Sequence, residues 1–384
     1  MRVAQKLYKG GKLITQAGEL FDCTRNTMVL GFAGKEVLLS SNVYATLRAD
    51  YPTGHIVLCS TAGEIYDDMV ADDSLSVTAL QFEQTELKAI TLNIKDYQNS
   101  YEAGKALFSE LSDVELSYVL LISDGGLVNG SQLVRGIEDV NQNRIPVTGG
   151  LAGDGDKFNF TLVGLNQPPA QGNIIAVGFY GEHLKIGHSS FGGWDIFGPE
   201  KKVTRSDANC LYEIDGKNAL DIYKQYLGKY ANELPGSALL FPLYVRTQNS
   251  DTSVVRTILS IDNLKQSMVF AGDIPEGSYI RFMKANFDKL IDAAAFAAVN
   301  AVTQFQPFEV GKPKFALLIS CVGRKLILGK RIDEEVETIK EIFGPETMLS
   351  GFYSYGEISP LNPAAQCQLH NQTMTITTFN ESIA

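Results

Sequence analysis

Residues 119–123, VLLIS, and residues 150–154, GLAGD, decide how the rest of the chain is interpreted. The first stretch is typical of a buried strand that ends in serine, and the second is a short strand that stops at a turn of small residues closed by a glycine and an acid. Between them, Leu133, Ile137 and Val140 recur at helical spacing. The segment therefore predicts a strand–helix–strand unit, with two parallel strands joined through one helix.

The same pattern occurs twice more along the chain. One copy runs from residues 37–40, VLLS, to residues 60–65, STAGEI, and the other runs from residues 316–320, ALLIS, to residues 353–358, YSYGEI. A further strand-like segment follows each acid, at residues 74–82, 173–180 and 370–379. We therefore predict an α/β protein with two mixed α/β lobes, built from repeated strand–helix–strand units that end in Gly–acid turns.

The length of the chain is the reason to expect two lobes. With 384 residues, it exceeds the size at which one hydrophobic core usually stops growing. The stretch 181–207 carries turn signals and charge, and two further helices are predicted after it, over residues 219–227 and 285–302. We place the boundary near residue 205, which gives lobes of residues 1–205 and 206–384.

Composition and charge exclude several classes of protein. The 45% apolar and 20% charged content is that of a globular chain. A net charge of -11 repels phosphate backbones and anionic lipids, so nucleic acids and membrane surfaces are not expected partners. The longest apolar stretch, 293–302, is too short to span a membrane, and residues 1–20 lack the apolar core of a signal peptide. Since the five cysteines contain no C-x-x-C pair, we expect free thiols and a cytoplasmic protein.

The three Gly–acid turns are candidate ligand sites, and we expect them to gather at one edge, because open α/β sheets bind ligands at the carboxyl ends of their strands. Small residues such as Gly150 let backbone N–H groups approach a ligand, while Glu64, Asp154 and Glu357 each offer a carboxylate. This combination suits a small polar molecule. Alternatively, the glycines only permit tight turns and the acids hydrogen-bond to nearby backbone.

The third unit has the richest set of functional side chains. Cys321 and Arg324 follow its first strand, whereas Tyr353, Tyr355 and Glu357 follow its second strand. We expect Arg324 and Glu357 to face each other across the two strand ends, and to bind a zwitterion such as an amino acid between the tyrosines. In the alternative interpretation, Arg324 and Glu357 form a buried ion pair that holds two loops together.

Histidine and cysteine positions leave a metal site and an enzyme as alternatives. His370 shares its strand parity with apolar residues, so it is either a hydrogen-bonded core residue or a ligand in the third unit. His188 is a second candidate metal ligand, but the four histidines have no chelating spacing. Cys321 and His370 are a candidate thiol–imidazole pair. Phosphate-binding loops, dinucleotide fingerprints and H-E-x-x-H motifs are absent from the sequence, and we expect a binding protein rather than an enzyme.

Several motifs together resemble a known family. They are residues 59–64 (CSTAGE), 149–154 (GGLAGD), 211–216 (LYEIDG), 320–324 (SCVGR) and 351–358 (GFYSYGEI), with His370 and Asn371 after them. The combination resembles the FIST family of sensory proteins over nearly the whole chain. This resemblance implies a FIST N-terminal lobe to about residue 205 and a FIST C-terminal lobe after it.

The FIST resemblance implies a ligand-binding input module of bacterial signal transduction, for small molecules such as amino acids. Stand-alone members of about this length are similar to haem-binding nitric oxide sensors that act on a histidine kinase or a cyclic-di-GMP enzyme. If haem binds, His188 and His370 are the candidate axial ligands, although the sequence has no C-x-x-C-H motif. No part of the chain resembles a kinase, a receiver or a cyclase, so the output is expected to pass through a partner.

Two other functions stay open at this point. One is a thiol-dependent enzyme that uses Cys321 and His370. The other is a protein-recognition module without a ligand, because the same pair of lobes occurs in a eukaryotic F-box protein.

Overall fold

The computed structural model describes residues 1–19, 21–40, 42–142, 144–234, 236–247, 253–305, 312–361 and 365–382. Within these ranges the chain forms four β-sheets, three of which contain one predicted unit each. The fourth sheet makes a separate, smaller lobe.

The first sheet has the strand order β11-β4-β3-β7-β1-β2. Its strands are β1 (Arg2–Lys9), β2 (Lys12–Gly18), β3 (Thr27–Ala33), β4 (His55–Ser60), β7 (Ser74–Gln81) and β11 (Val163–Leu165). Strands β3 and β4 are parallel, and α1 (Lys35–Ser40) and α2 (Val43–Asp50) connect them. Strand β7 pairs antiparallel with β3.

The second sheet has the strand order β25-β24-β10-β9-β12-β8. Its strands are β8 (Glu86–Asn93), β9 (Leu116–Ser123), β10 (Val147–Leu151), β12 (Asn173–Tyr180), β24 (Gly356–Pro360) and β25 (Cys367–His370). Helix α3 (Ser100–Leu111) precedes β9, and α4 (Gly130–Asn141) connects β9 to its parallel neighbour β10. Strand β12 pairs antiparallel with β9.

The third sheet has the strand order β13-β26-β22-β23-β5-β6. Its strands are β5 (Glu64–Tyr66), β6 (Met69–Ala71), β13 (Leu184–Phe191), β22 (Phe315–Cys321), β23 (Met348–Ser354) and β26 (Met374–Glu381). Helices α7 (Val322–Leu328) and α8 (Ile332–Phe343) connect the parallel strands β22 and β23, and α6 (Phe287–Phe305) precedes them. Strand β26 pairs antiparallel with β22.

The fourth sheet is antiparallel and is made of residues that are contiguous in sequence. Its strands are β14 (Asp195–Asp207), β15 (Cys210–Ile214), β16 (Lys217–Asn218), β17 (Leu243–Arg246), β18 (Ser253–Arg256), β19 (Ile258–Asp262), β20 (Ser267–Phe270) and β21 (Tyr279–Lys284). Helix α5 (Ala219–Leu227) packs on this sheet, and Leu220 and Tyr223 of the helix are fully buried against Phe282. We call this part the small lobe, and the other three sheets with their helices the large lobe.

The three sheets of the large lobe surround one hydrophobic core. Leu30 of the first sheet, Ile122 of the second and Leu317 of the third belong to the same buried cluster. The alternate residues Val119 and Leu121 of β9 face outward and are covered by helices α3 and α4. Strands that are buried on both faces need near-continuous apolar sequence, which is why VLLIS and ALLIS predicted their strands.

The strands that follow the Gly–acid turns are exchanged between the units. Strand β5 leaves the first unit and pairs with β23 of the third, and β24 leaves the third unit and pairs with β10 of the second. Strand β11 leaves the second unit and pairs with β4 of the first. Each unit therefore completes the sheet of another unit, and the exchange is cyclic.

The predicted α/β architecture with two lobes is confirmed, and so are the helices over residues 219–227 and 285–302, with the second spanning Phe287–Phe305. One predicted element is wrong. Residues 37–40 are not the first strand of the first unit but lie in α1, because the fully buried segment 27–33 takes that place as β3. Leu39 of this helix is 56% exposed, which a central strand would not allow.

The division of the chain at residue 205 remains a prediction. Residue 205 lies inside β14. The second and third sheets combine strands from residues 1–205 with strands from residues 206–384. Among the described residues, no helix has the length and apolar character needed to cross a membrane.

Candidate functional site

The three turns meet at one edge of the large lobe, where backbone hydrogen bonds join them in a ring. Each donor is an N–H group in the turn of one unit, and each acceptor is a carbonyl at the end of the second strand of another unit. The donor–acceptor pairs are Ala62 to Tyr353 (2.8 Å), Gly153 to Ser60 (2.9 Å) and Tyr355 to Leu151 (3.2 Å). The expectation that the turns gather at one edge is confirmed.

Glu64 closes the first turn, and its carboxylate is hydrogen-bonded to neighbouring groups of the protein. Its side chain is 1% exposed and accepts hydrogen bonds from the Thr61 hydroxyl, the Ser74 N–H group (3.0 Å) and the Ser74 hydroxyl (2.7 Å). Burial raises the pKa of Glu64 to about 7, because it disfavours the charged carboxylate. One face of this residue lines the cleft described below.

Glu357 has the equivalent position in the third turn. It accepts hydrogen bonds from the Ser354 hydroxyl (2.6 Å), the Thr373 hydroxyl (2.9 Å) and the Thr373 N–H group (3.2 Å). Burial raises the pKa of Glu357 to about 8. Both acids thus tie their turn to the start of the next strand, as the alternative interpretation of these turns expected.

An open cleft of about 570 Å³ lies at the edge where the turns meet. The first unit supplies one wall, helix α7 of the third unit supplies another, and the second turn supplies a third. The lining consists of residues 34–36, 61–64, 72–73 and 154–157, with Val70, Val322, Lys325, Leu326, Gly329 and Ile332. The cleft is therefore built where all three units contact each other, and it is our candidate functional site.

Lys35 and Asp154 form a buried ion pair in the wall of the cleft. The Lys35 ammonium lies 2.7 Å from Asp154 Oδ2, and the two side chains are only 5% and 3% exposed. The same ammonium lies 3.9 Å from the ring centroid of Phe160, a cation–π contact. Because Lys35 starts helix α1 of the first unit and Asp154 ends the second turn, the pair fixes these two units to each other.

Lys325 makes the corresponding contact from the third unit to the first. Its ammonium donates to the Ala62 carbonyl (2.8 Å) and pairs with the Asp72 carboxylate. The lysine side chain is 15% exposed and the Asp72 side chain is 68% exposed. Gly63 packs against this side chain: its φ of 143° favours glycine, and a Cβ atom there would lie 2.5 Å from the Lys325 ammonium and displace it.

This arrangement offers both signs of charge to a ligand. The Lys325 ammonium is held in place by a carbonyl, while its carboxylate partner Asp72 is largely exposed, and an ion pair of this kind adds little to stability. The carboxylates of Asp72, Asp73 and Asp156 at the same rim can accept from a ligand ammonium. A small molecule that carries both charges therefore complements the cleft.

The structure brings Glu64 and Asp154 to this cleft and places the other predicted site residues elsewhere. Gly150 lies in β10, where a Cβ atom would come within 2.7 Å of Ile319 Cγ2, so it serves close packing in the core. Tyr355 stacks on Phe158 at a centroid distance of 4.6 Å and covers the second turn.

The predicted pair of Arg324 with Glu357 is wrong. Arg324 is completely buried and its guanidinium binds Glu335 of helix α8, with 2.7 Å between Nε and Oε1. It also donates to the carbonyls of Gly192 (2.5 Å) and Leu290 (2.7 Å). The positive charge of Arg324 is therefore compensated by groups of the protein itself. Tyr353, also buried, donates its hydroxyl to the same Glu335 carboxylate (2.9 Å).

The predicted thiol–imidazole pair has the wrong protonation states for a thiol enzyme. Burial raises the pKa of the Cys321 thiol far above its usual range, so the thiol stays protonated. His370 is 2% exposed, its Nε2 contacts the Ser359 carbonyl at 2.8 Å, and burial lowers its pKa to about 4. It is a core histidine. Among the described residues, Cys321 and His370 share no hydrogen bond.

The side chains that line the cleft do not fit a haem group. No histidine, cysteine, methionine or tyrosine is among them, and these are the residues that ligate haem iron. His188 lies on β13 and is 5% exposed, and burial lowers its pKa to about 4. In the part of the chain that the structure describes, no group of three or more metal-ligating side chains is present.

Sequence reasoning missed five residues of this site: Lys35, Asp72, Asp73, Asp156 and Lys325. Lys35 precedes residues 37–40, which the sequence predicts as the first strand of the unit, so the sequence does not place it at a strand end. Lys325 is adjacent to Arg324, and both follow a strand end in the predicted unit, but only Arg324 is predicted as a site residue. A lysine within a few residues of the end of the first strand, in two of the three units, is the signal that could have found Lys35 and Lys325.

Comparison with known proteins identifies the family. Family models described as the FIST N domain and the FIST C domain match residues 27–217 and residues 219–360. An uncharacterized protein of Methanocaldococcus jannaschii, MJ1623, is 21% identical over 324 residues, which cover 78% of this chain and 61% of that protein. The chain therefore spans less than two thirds of that relative.

Among solved structures, a protein described as a 2,3-dihydroxybenzoate-specific isochorismate synthase, DhbC from Bacillus anthracis, aligns with 12% identity over 99% of this chain and 89% of that chain. Its TM-score of 0.14 is too low to carry an argument about fold or function. FIST domains are associated with the sensing of small ligands in signal transduction. With both domain models matching in succession, the chain belongs to the FIST family.

Proposed function

We propose that this protein is a cytoplasmic input protein of bacterial-type signal transduction, which binds a small zwitterionic ligand such as a free amino acid in the cleft between the three units. It acts by binding and does not turn its ligand over. The output passes to a separate partner such as a histidine kinase or a cyclic-di-GMP enzyme. The observation that carries the proposal is the Lys325 ammonium, fixed by the Ala62 carbonyl but neutralised by the largely exposed Asp72.

In this proposal the ligand carboxylate replaces Asp72 on Lys325. The ligand ammonium then binds the acidic rim formed by Asp72, Asp73 and Asp156. A nitric oxide sensor based on haem is not favoured, because no histidine, cysteine, methionine or tyrosine lines the cleft to ligate the iron.

The contacts of the β5–β6 hairpin suggest how binding is signalled. Asp72 directly follows β6, whose Val70 N–H group donates to the Asp333 carboxylate on helix α8 (3.0 Å). Lys340 of the same helix pairs with Asp67 at 2.6 Å. When the ligand displaces Asp72, the hairpin and α8 change position together, and a partner that contacts this surface detects the change.

The test is thermal melting and calorimetric titration with the standard free L-amino acids. Each positive compound is compared with its N-acetyl and its carboxamide derivatives, which lack one charge. We expect a free amino acid to bind, both derivatives to lose binding, and Lys325→Gln to lose binding while it keeps the fold. Lys330→Gln, which removes an exposed lysine just after α7, is the matched control and should bind as the wild type does.

Two results would contradict the proposal. One is equal binding of an amino acid to the wild type and to Lys325→Gln. The other is chemical conversion of the bound compound, detected by chromatography of the ligand recovered after incubation, which would show an enzyme.

A further inference from the structure

The third unit contains a second copy of the segment that forms the acidic rim of the cleft. In the first unit this segment is residues 72–74, and in the third unit it is residues 371–373. Asp73 and Gln372 both have left-handed backbone, with φ of 54° and 63°. The next residue, Ser74 or Thr373, in each case donates its N–H group and its hydroxyl to the acid of the Gly–acid turn.

The equivalence extends to the strands. Strand β7, which begins at Ser74, pairs antiparallel with the first strand of the first unit, and β26, which begins just after Thr373, does the same in the third unit. Asn371 and Gln372 therefore occupy, in the third unit, the positions that Asp72 and Asp73 occupy at the cleft. The charged carboxylates are replaced by neutral carboxamides.

In the third unit, the position that corresponds to the cleft is covered by other parts of the protein. Asn371 and Gln372 are both completely buried. Trp194, in the connection to the small lobe, donates its Nε1–H to the Gln372 carbonyl (2.9 Å). Arg256 of the small lobe donates to the Leu369 carbonyl (2.9 Å), two residues before Asn371. The small lobe and its connection thus cover the counterpart of the cleft.

The closed arrangement leaves polar atoms unpaired. Asn371 Oδ1 and Nδ2 and Gln372 Oε1 and Nε2 all lack a hydrogen-bond partner among the described residues. Two adjacent buried carboxamides without partners are costly, since each unpaired group forfeits the hydrogen bonds it made to water. Gly323 keeps space for one of them, because a Cβ atom there would lie 2.4 Å from Gln372 Nε2. Uncovering these groups would recover the hydrogen bonds they lack.

We propose that Asn371 and Gln372 form the floor of a second binding site, which is closed by the small lobe in this structure and opens to admit a small neutral molecule. The ligand must both donate and accept hydrogen bonds, as a primary carboxamide does, because the floor consists of two carboxamides. The nearby charges are not available to an ionic ligand, since Arg324 is paired with Glu335 and Glu357 is saturated by Ser354 and Thr373. The unpaired atoms reduce the cost of opening, and the ligand then pairs them.

The experiment is a nuclear magnetic resonance titration of the full chain with acetamide, observing the side-chain NH2 signals of Asn371 and Gln372. Acetate and methylammonium are the charged isosteres. We expect acetamide alone to shift these two sets of signals. Asn371→Leu should lose the response of Gln372, and Lys325→Gln, which affects the other cleft, should keep it.

Asn141 provides the matched control for stability. Its buried carboxamide donates to the Ile145 carbonyl (2.8 Å) and accepts from the Ile145 N–H group (2.9 Å), so Asn141→Leu should lower the melting temperature. Asn371→Leu should not, because it removes unpaired atoms. The proposal is overturned if acetamide leaves both wild-type NH2 signals unchanged, if acetate shifts them equally, or if Asn371→Leu melts as early as Asn141→Leu.

Discussion

Removing the Glu335 carboxylate tests how the third unit is held together. In Glu335→Ala the Arg324 guanidinium remains completely buried but loses its only carboxylate within the described ion pairs. A buried pair that loses one partner costs about 3 to 5 kcal/mol, because an uncompensated charge stays in the interior. The hydroxyls of Ser320 and Tyr353 also lose their acceptor, Glu335 Oε2, at about 1 to 3 kcal/mol each if they find no other.

These contributions are not independent, so we expect a total loss of roughly 4 to 8 kcal/mol in the free energy of unfolding. This is a large fraction of the roughly 5 to 15 kcal/mol by which proteins are stable. The assay is urea denaturation followed by circular dichroism, with the midpoint and the slope fitted separately.

The neighbouring residue on the same helix is the control. Glu334 pairs with Arg331, and both side chains are partly exposed, at 45% and 42%, so Glu334→Ala should barely change the midpoint. The double variant Arg324→Met with Glu335→Leu removes both charges and should recover most of the stability lost by Glu335→Ala. Equal midpoints for Glu334→Ala and Glu335→Ala would refute the reasoning, because they would show that Arg324 is hydrated.

Three further predictions concern titration, packing and thiol exposure. Burial raises the pKa of Glu357 from the usual 4.5 to about 8 in the native protein, so the native protein holds this proton more tightly than the unfolded chain does. The contribution of Glu357 to stability is therefore complete below pH 4.5 and lost as the pH rises through 8, and Glu357→Gln should flatten this part of a plot of melting temperature against pH. Gly351→Ala should destabilise strongly or prevent folding, because the new Cβ atom would lie 1.7 Å from the Leu318 carbonyl oxygen. A thiol reagent should modify Cys23 and Cys210 in the native protein, since the other cysteines are buried, and all five after denaturation; rapid modification of a third thiol would contradict this.

How far the sequence could predict the fold is shown by comparing the third unit with the first. The third unit was predicted correctly because β22 is a continuous apolar run that can only be a strand buried on both faces. In the first unit, β3 contains Gly31 and reads less clearly as a strand than residues 37–40 do. Only the packed structure shows that β3 is buried throughout while Leu39 is exposed.

The site was harder to predict because its charged pairs connect different units. Arg324 was recognised, but its partner is on helix α8 and not in the adjacent turn. Glu335 could have been suspected, since it lies on the same helical face as Ile332 and Ile339, where a carboxylate must be paired. The edge where the turns gather could be predicted, but the walls of the cleft could not, because the cyclic exchange of β5, β11 and β24 brings the three units together only in the folded protein.

The cyclic exchange of strands also determines when the chain can fold during synthesis. Strand β10 reaches the ribosome exit long before β24, with which it pairs, and β5 precedes its partner β23 by a similarly long interval. The edges of both early strands stay open until nearly the whole chain has been made, and open strand edges invite aggregation. The small lobe, whose strands are contiguous in sequence, can fold during this interval. We therefore expect the nascent large lobe to need protection from aggregation for longer than the small lobe does.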